Sequence, residues 1–359
     1  MVAGSTAALT LLSAMAVAVL LLPLRRPPPP PPPPPSVVSP RVRLREGRRL
    51  AYREWGVLPM EKASHRVVVL HGFDDSKHFA LPVSPELVEE MGVYFVSFDR
   101  AGYGESDPHP ARTVQSDAMD VEEFADRLGL GPRFYLVGAS LGSYPVWACI
   151  KHFPHRVAGA ALVAPLVNFW WASLPAEMAR AAYEKREASD QRAMWIARYA
   201  PWLLHGYMTQ NLVTPSAALA RHPNVFSPQD LQILATLSQN PNPPENKARL
   251  QGVHESLHRD MMVAFGDWGF DPLTDLAEPC SGEEGGAAAA TAVHLWHGRE
   301  DRLFPVELLR HVAARLPWIR YHECADCGHL FVHNQTWSDA ILRDLLARPG
   351  QPQPSPGEL

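Results

Sequence analysis

Residues 133–143 read Arg133-Phe134-Tyr135-Leu136-Val137-Gly138-Ala139-Ser140-Leu141-Gly142-Ser143, and this stretch decides the architecture. Arg133–Val137 is a short apolar run with the length of a buried strand, and a helical pattern follows Gly142. Gly138-Ala139-Ser140-Leu141-Gly142 therefore sits between a strand and a helix. That context makes Gly-x-Ser-x-Gly informative: the serine must project above a sheet on a sharp turn, and flanking glycines leave room where a Cβ would clash. Without the context the pattern is common by chance.

Working outward, strands and helices alternate from Val42 onward. Val42–Arg45 and Leu50–Glu54 flank Glu46-Gly47-Arg48-Arg49, a predicted opening hairpin. Buried strands are expected at Arg66–Leu70, Val93–Phe98 and Val157–Val163, and later at Ala292–Trp296 and Ile319–Glu323. Ser84-Pro85-Glu86 places a cap residue and then Pro at the first turn of a helix ending near Gly92. Helical spacing covers Val114–Leu128, with Asp117, Asp120, Glu122 and Glu123 expected on its outer side. Two further helices are expected at Val306–Leu316 and Thr336–Leu346. Continuous apolar strands separated by helices imply a mostly parallel sheet covered on both faces, an α/β fold. Residues 166–291 interrupt the alternation with helical patterns (Glu177–Glu187, Gln191–Ala200, Pro228–Ser238, Val253–Phe265) and many aromatics, and read as an inserted helical cap. Ser281–Thr291 reads as a surface loop.

A serine nucleophile needs a base, and the base an acid to hold its tautomer. In this architecture their chain order is Ser, acid, His. Asp301 follows the strand Ala292–Trp296, where the acid belongs, with Glu300 as neighbouring competitor. Gly328-His329-Leu330 puts a histidine in a tight loop before the last helix, whereas His322 and His333 have no glycine ahead of them. The oxyanion needs two backbone N–H donors. Leu141 supplies one, and Phe73 in His71-Gly72-Phe73, after the first buried strand, supplies the other; His71 reads as a loop-shaping residue.

In combination, His71-Gly72-Phe73, Asp99-Arg100-Ala101-Gly102-Tyr103-Gly104, Gly138-Ala139-Ser140-Leu141-Gly142, Asp301 and Gly328-His329 make the chain from about Val42 to Ala347 resemble an α/β-hydrolase of the esterase/lipase superfamily. Within it, Phe134-Tyr135-Leu136-Val137-Gly138, Ser143-Tyr144-Pro145 and His294-Leu295-Trp296-His297-Gly298 are similar to a group of uncharacterised plant hydrolases. The resemblance implies the fold and a Ser140–His329–Asp301 triad. It leaves the substrate open, since the superfamily hosts esterases, thioesterases, acyltransferases, carbon–carbon hydrolases and inert receptors. Serine at 140 argues against the haloalkane dehalogenases and epoxide hydrolases, which use an aspartate nucleophile.

Two other motifs compete. His254-Glu255-Ser256-Leu257-His258 matches the His-Glu-x-x-His of zinc proteases. No His-x-x-Gly-x-x-His extension follows, and Asp271, Asp275 or Glu278 are merely available, so it reads as a polar helix face and no metal is expected. Cys324-Ala325-Asp326-Cys327 precedes the His329 loop and reads as two reduced loop cysteines, the rival being a disulfide that tunes activity.

The 359 residues carry a net charge of −5, so no basic field advertises nucleic-acid binding. Four cysteines in a chain this long are not a disulfide framework. Residues 1–26 hold an 18-residue largely apolar run, Ala7 to Leu24, ending in Arg25-Arg26. As a helix it would be about 27 Å long, near a bilayer core's thickness, and it is expected to anchor the chain in a membrane with the remainder on the cytosolic side. A secretory signal, an organelle transit peptide or a disordered tail are the rivals. Pro27 to Pro35, nine prolines within a linker at 27–40, form a polyproline II spacer of roughly 28 Å. Residues 348–359 read as a disordered tail. The function expected is hydrolysis of a small apolar ester or thioester without a cofactor. The alternative is a receptor-like protein holding a hydrophobic ligand with little turnover.

Overall fold

Strand β3 (His65–Leu70) shows why the core has two sides. Successive side chains of a strand point to opposite faces, and Val68 and Leu70 enter one apolar cluster while Val67 and Val69 enter another. The computed structural model describes residues 27–30, 38–239, 247–278 and 291–347. Eight strands form one sheet: β1 (Arg41–Arg43), β2 (Arg49–Gly56), β3, β4 (Val93–Phe98), β5 (Phe134–Ala139), β6 (Val157–Val163), β7 (Ala292–Gly298) and β8 (Ile319–Cys324). Their order is β1-β2-β4-β3-β5-β6-β7-β8. β1, β2 and β4 pair antiparallel, and every pairing from β4 through β8 is parallel.

The expected α/β architecture is what forms. On one face lie α2 (Val114–Leu128), α3 (Ser143–His152) and α10 (Val306–Arg315); on the other lie α1 (Pro85–Met91) and α11 (Gln335–Leu346). Gly92 ends α1 in the left-handed conformation, at φ 63°. Ser84 opens α1, but its hydroxyl and amide bond Asp339 of α11 at 2.8 Å instead of capping its own helix. Asp117 and Asp120 correct the sequence reading: both are buried in α2, not on its outer side. Each is the counter-charge of an arginine, Asp117 for the buried Arg112 at 2.7 Å and Asp120 for the partly buried Arg48 at 2.6 Å.

Between β6 and β7 come α4 (Ala176–Glu184), α5 (Ala188–Tyr199), α6 (Pro201–Thr209), α7 (Pro228–Leu237), a π-helical turn at His254–His258, α8 (Arg259–Phe265) and α9 (Pro272–Asp275). Two differences from the sequence reading stand out. Pro201 ends α5 and opens a separate α6, consistent with proline's tolerance in a first helical turn. Val253–Phe265 is not one regular helix, because its first turn is π-helical. His258 is 1% exposed, so this segment is not a polar outer face. The expected loop at Ser281–Thr291 lies outside the described residues up to 290. The apolar leader at 1–26, most of the proline spacer and the tail at 348–359 also lie outside them. Among the described residues no helix is long and apolar enough to cross a membrane.

Candidate active site

β5 ends at Ala139, and the chain turns through Ser140–Gly142 into α3. Ser140 takes φ 51°, a left-handed conformation costing a non-glycine residue about 1–3 kcal/mol. The turn is tight enough that a Cβ on Gly138 would stand 2.5 Å from the Gly142 carbonyl oxygen, and one on Gly142 would stand 2.2 Å from that of Leu70. Both glycines are therefore required by space, and together they let the serine point out over the carboxyl ends of the parallel strands.

His329 lies in the loop between β8 and α11, and its Nε2 is 2.9 Å from Ser140 Oγ. Its Nδ1 is 2.7 Å from Asp301 Oδ2. Asp301 is held by its other oxygen, which accepts from the amides of Leu303 and Phe304 at 2.7 and 3.0 Å. Burial opposes charge on both partners. For Asp301 the neighbouring imidazole outweighs burial and keeps the carboxyl below its usual range. For His329 burial is outweighed by the Asp301 charge and hydrogen bond, which raise it above an ordinary imidazole. Such a chain can pass a hydroxyl proton to the imidazole and stabilise the cation that results.

The competing residues stand elsewhere. Glu300 is exposed. His322 hydrogen-bonds His294 at 2.9 Å, and burial holds His333 down to about 4. His71 is buried; its Nδ1 donates to the Gly72 carbonyl at 2.9 Å, and its Nε2 accepts the Arg100 amide at 3.1 Å. It shapes the loop, as its position suggested. Phe73 and Ser140 line one cavity. Leu141 lies in the turn leading into α3, a helix end where early N–H groups lack intrahelical acceptors.

That cavity has a volume of about 230 Å³, and Phe79, Phe226, Leu234, Leu237 and Leu303 supply much of its apolar wall. Asp75 also faces it, and desolvation pushes its carboxyl up to about 7. A larger charged groove of about 560 Å³ lies behind Asp301 among Lys185, Glu187 and Arg299, but Ser140 and His329 are not part of it. Ser140 and His329 both line the smaller space. Among the described residues two clusters could hold a metal ion, His205/His254/His258 and His294/His322/Asp344, and neither lines it.

Sequence reasoning missed the support of the histidine loop. Asp230, wholly buried in the first turn of α7, accepts the amides of His329 at 3.0 Å and Leu330 at 2.7 Å. Gln229 accepts that of Gly328 at 3.1 Å. A Cβ on Gly328 would meet Asp230 and Ser227 oxygens at 2.2 Å. The available signal was Ser227-x-x-Asp230, a capping box that marks a helix start but says nothing of a partner 99 residues away.

Residues 65–335 match the family model described as alpha/beta hydrolase fold, and the chain belongs to that family. Comparison with curated proteins gave no match. Among solved structures the chain is similar to an esterase from Thermogutta terrifontis (20% identity, TM-score 0.53) and an esterase from Exiguobacterium antarcticum (17%, 0.54). It is also similar to the enol-lactonase from Burkholderia xenovorans (15%, 0.58). Each alignment covers 86% of this chain and 100% of the other. At these identities the likeness is one of fold.

Proposed function

We propose that the chain is a serine hydrolase of small apolar carboxylic esters or thioesters. The observation carrying this reading is the unbroken Ser140–His329–Asp301 hydrogen-bond chain at 2.9 and 2.7 Å beside a mainly apolar cavity. Ser140 Oγ attacks the acyl carbonyl carbon as its proton passes to His329 Nε2. The Phe73 and Leu141 amides stabilise the oxyanion. His329 then protonates the departing alcohol or thiol, leaving an acyl-serine. Water, deprotonated by the same histidine, releases the acid and restores Ser140. Asp301 fixes the imidazole tautomer and stabilises its cation. A cavity of about 230 Å³ is smaller than the roughly 300–1,000 Å³ of ordinary ligand pockets, which favours short acyl chains. The two esterases and the enol-lactonase among the fold neighbours are in keeping with ester chemistry. The closer plant likeness rests on the sequence stretches alone.

The test is covalent labelling of the full chain with a fluorophosphonate probe, beside Ser140→Ala and His329→Ala. The expected result is labelling of the wild-type chain and of neither variant, followed by turnover of p-nitrophenyl esters that declines as the acyl chain lengthens. A folded wild-type chain that resists the probe would overturn the reading in favour of a protein that holds a ligand without turning it over.

A further inference from the structure

The insert brings three histidines together away from the serine. His205 projects from α6, while His254 and His258 open and close the π-helical turn ahead of α8. One ring nitrogen from each lies within 4.8 Å of the other two. The ring centroids form a near-equilateral triangle with sides of 5.3, 5.4 and 5.7 Å. His258 is buried and the other two are partly buried. His254 Nδ1 is buried with no hydrogen-bond partner, an orphaned polar atom of the kind that calls for an explanation.

One distance is especially telling. His205 Nδ1 and His258 Nδ1 stand 3.3 Å apart, a long hydrogen bond when no ion lies between them. Two nitrogens bound to one tetrahedral zinc at about 2.0–2.1 Å must be about 3.3–3.4 Å apart, the edge of the tetrahedron. The other histidine cluster contrasts with it. There His294 Nδ1 and His322 Nε2 approach to 2.9 Å, a hydrogen bond shorter than the ligand spacing of a tetrahedral zinc.

We infer that His205, His254 and His258 form a site for a divalent transition metal, zinc by preference, joining α6 to the π-helical turn. Three imidazoles from two elements leave the fourth tetrahedral position for water. The groups around the cluster define its role. Glu255, the residue a zinc peptidase would use as base, is bound by Arg259 at 2.6 and 2.9 Å, and Arg259 also donates to the Pro110 carbonyl at 2.8 Å. A metal here is not set up for peptide hydrolysis. It would act by tying the insert together, because His258 directly precedes the helix whose Asp260 grips Arg100 and Arg112. The His-Glu-x-x-His match is thus read as a ligand pair without the catalytic glutamate. Its third ligand lies 53 residues before His258, beyond the reach of any local pattern.

The experiment uses the full chain stripped of metal with a chelator. Zinc is titrated against a chromophoric competitor, thermal melting is followed with and without zinc, and cobalt is added as a spectroscopic stand-in. The expected result is one zinc per chain, a melting temperature that rises with zinc, and the intense visible bands of tetrahedral cobalt. His254→Ala and His205→Ala, from different elements and each with a metal-free melting curve like that of the wild type, should weaken zinc binding by about 100-fold or more and lose the cobalt bands. Zinc binding that survives in both variants would place it on other histidines and overturn the assignment. So would weak, octahedral cobalt absorption in the wild-type chain.

Discussion

Ser140, Asp301 and His329 are each unremarkable in sequence, and what makes them a unit is the electrostatic state of the pair behind the serine. His329 can act as a base only when neutral. Its affinity for a proton is raised by Asp301, so the acid limb of its pH profile belongs above the ordinary imidazole value of 6.5. Activity is expected to fall as pH drops through that limb. Asp301→Asn removes the cause of the upward shift: the limb should move to lower pH while kcat falls by about 10⁴-fold, because the amide no longer holds the correct tautomer. Ester hydrolysis followed across pH 5 to 9 in both proteins checks this. An unmoved limb would mean that another group titrates. Sequence could nominate these three residues because the chemistry demands their types in a fixed chain order after particular strands, and the fold brings them within hydrogen-bond distance. The same logic proposes Phe73 and Leu141 as the oxyanion donors. Asp75 was not legible, since its shift to about 7 arises from desolvation that only the folded cavity imposes.

At the scale of elements, the strands and the helices packed directly on the sheet were legible because they bury apolar residues at a clear period. Val93–Phe98, Val114–Leu128 and Val157–Val163 have the bounds that pattern implies. The insert was less so. Its helices are joined by polar links between distant residues, which leave no period, and the clearest case is α7, whose Asp230 and Gln229 take up the three consecutive amides of the His329 loop. Asp230 acts here as a positioning residue. Asp230→Asn replaces one accepting oxygen with a donor that faces an N–H, leaving one of these buried groups unsatisfied. The imidazole should then sit loosely over Ser140. The expected loss is up to about 100-fold in kcat with KM little changed. Because the Asp230 charge also favours protonated His329, the acid limb should move to lower pH in the same variant. Steady-state kinetics across pH would detect both effects. A drop in melting temperature with an unshifted limb and full activity per folded molecule would reduce Asp230 to a structural helix cap.

Across the whole molecule, the insert and the sheet domain are joined through a buried charge cluster as well as through apolar packing. Asp260 of α8 accepts from Arg100 at 2.6 and 2.7 Å, from Arg112 at 2.9 Å, and from the hydroxyls of Tyr144 and Tyr103 at 2.7 Å each. These partners follow β4, precede α2 and sit on α3, so one carboxylate from the insert organises three neighbouring parts of the sheet domain. Asp117 also serves Arg112, at 2.7 Å, but it lies 4.0 Å from Arg100. Two guanidiniums therefore share two carboxylates, and removing either acid leaves a buried positive charge uncompensated. The desolvation cost of such a charge exceeds what the lost attraction alone would suggest, so breaking one partner costs about 3–5 kcal/mol. In a chain of this size Asp260→Ala should lower the melting temperature by about 10 °C. Asp117→Ala should cost less, because both arginines keep Asp260 within 2.6 to 2.9 Å. The double variant should lose more than the sum of the two, since each acid still compensates an arginine when the other is removed and neither does when both are gone. Melting curves of the three variants measure this directly. Equal and additive losses would show two independent ion pairs and overturn the shared cluster.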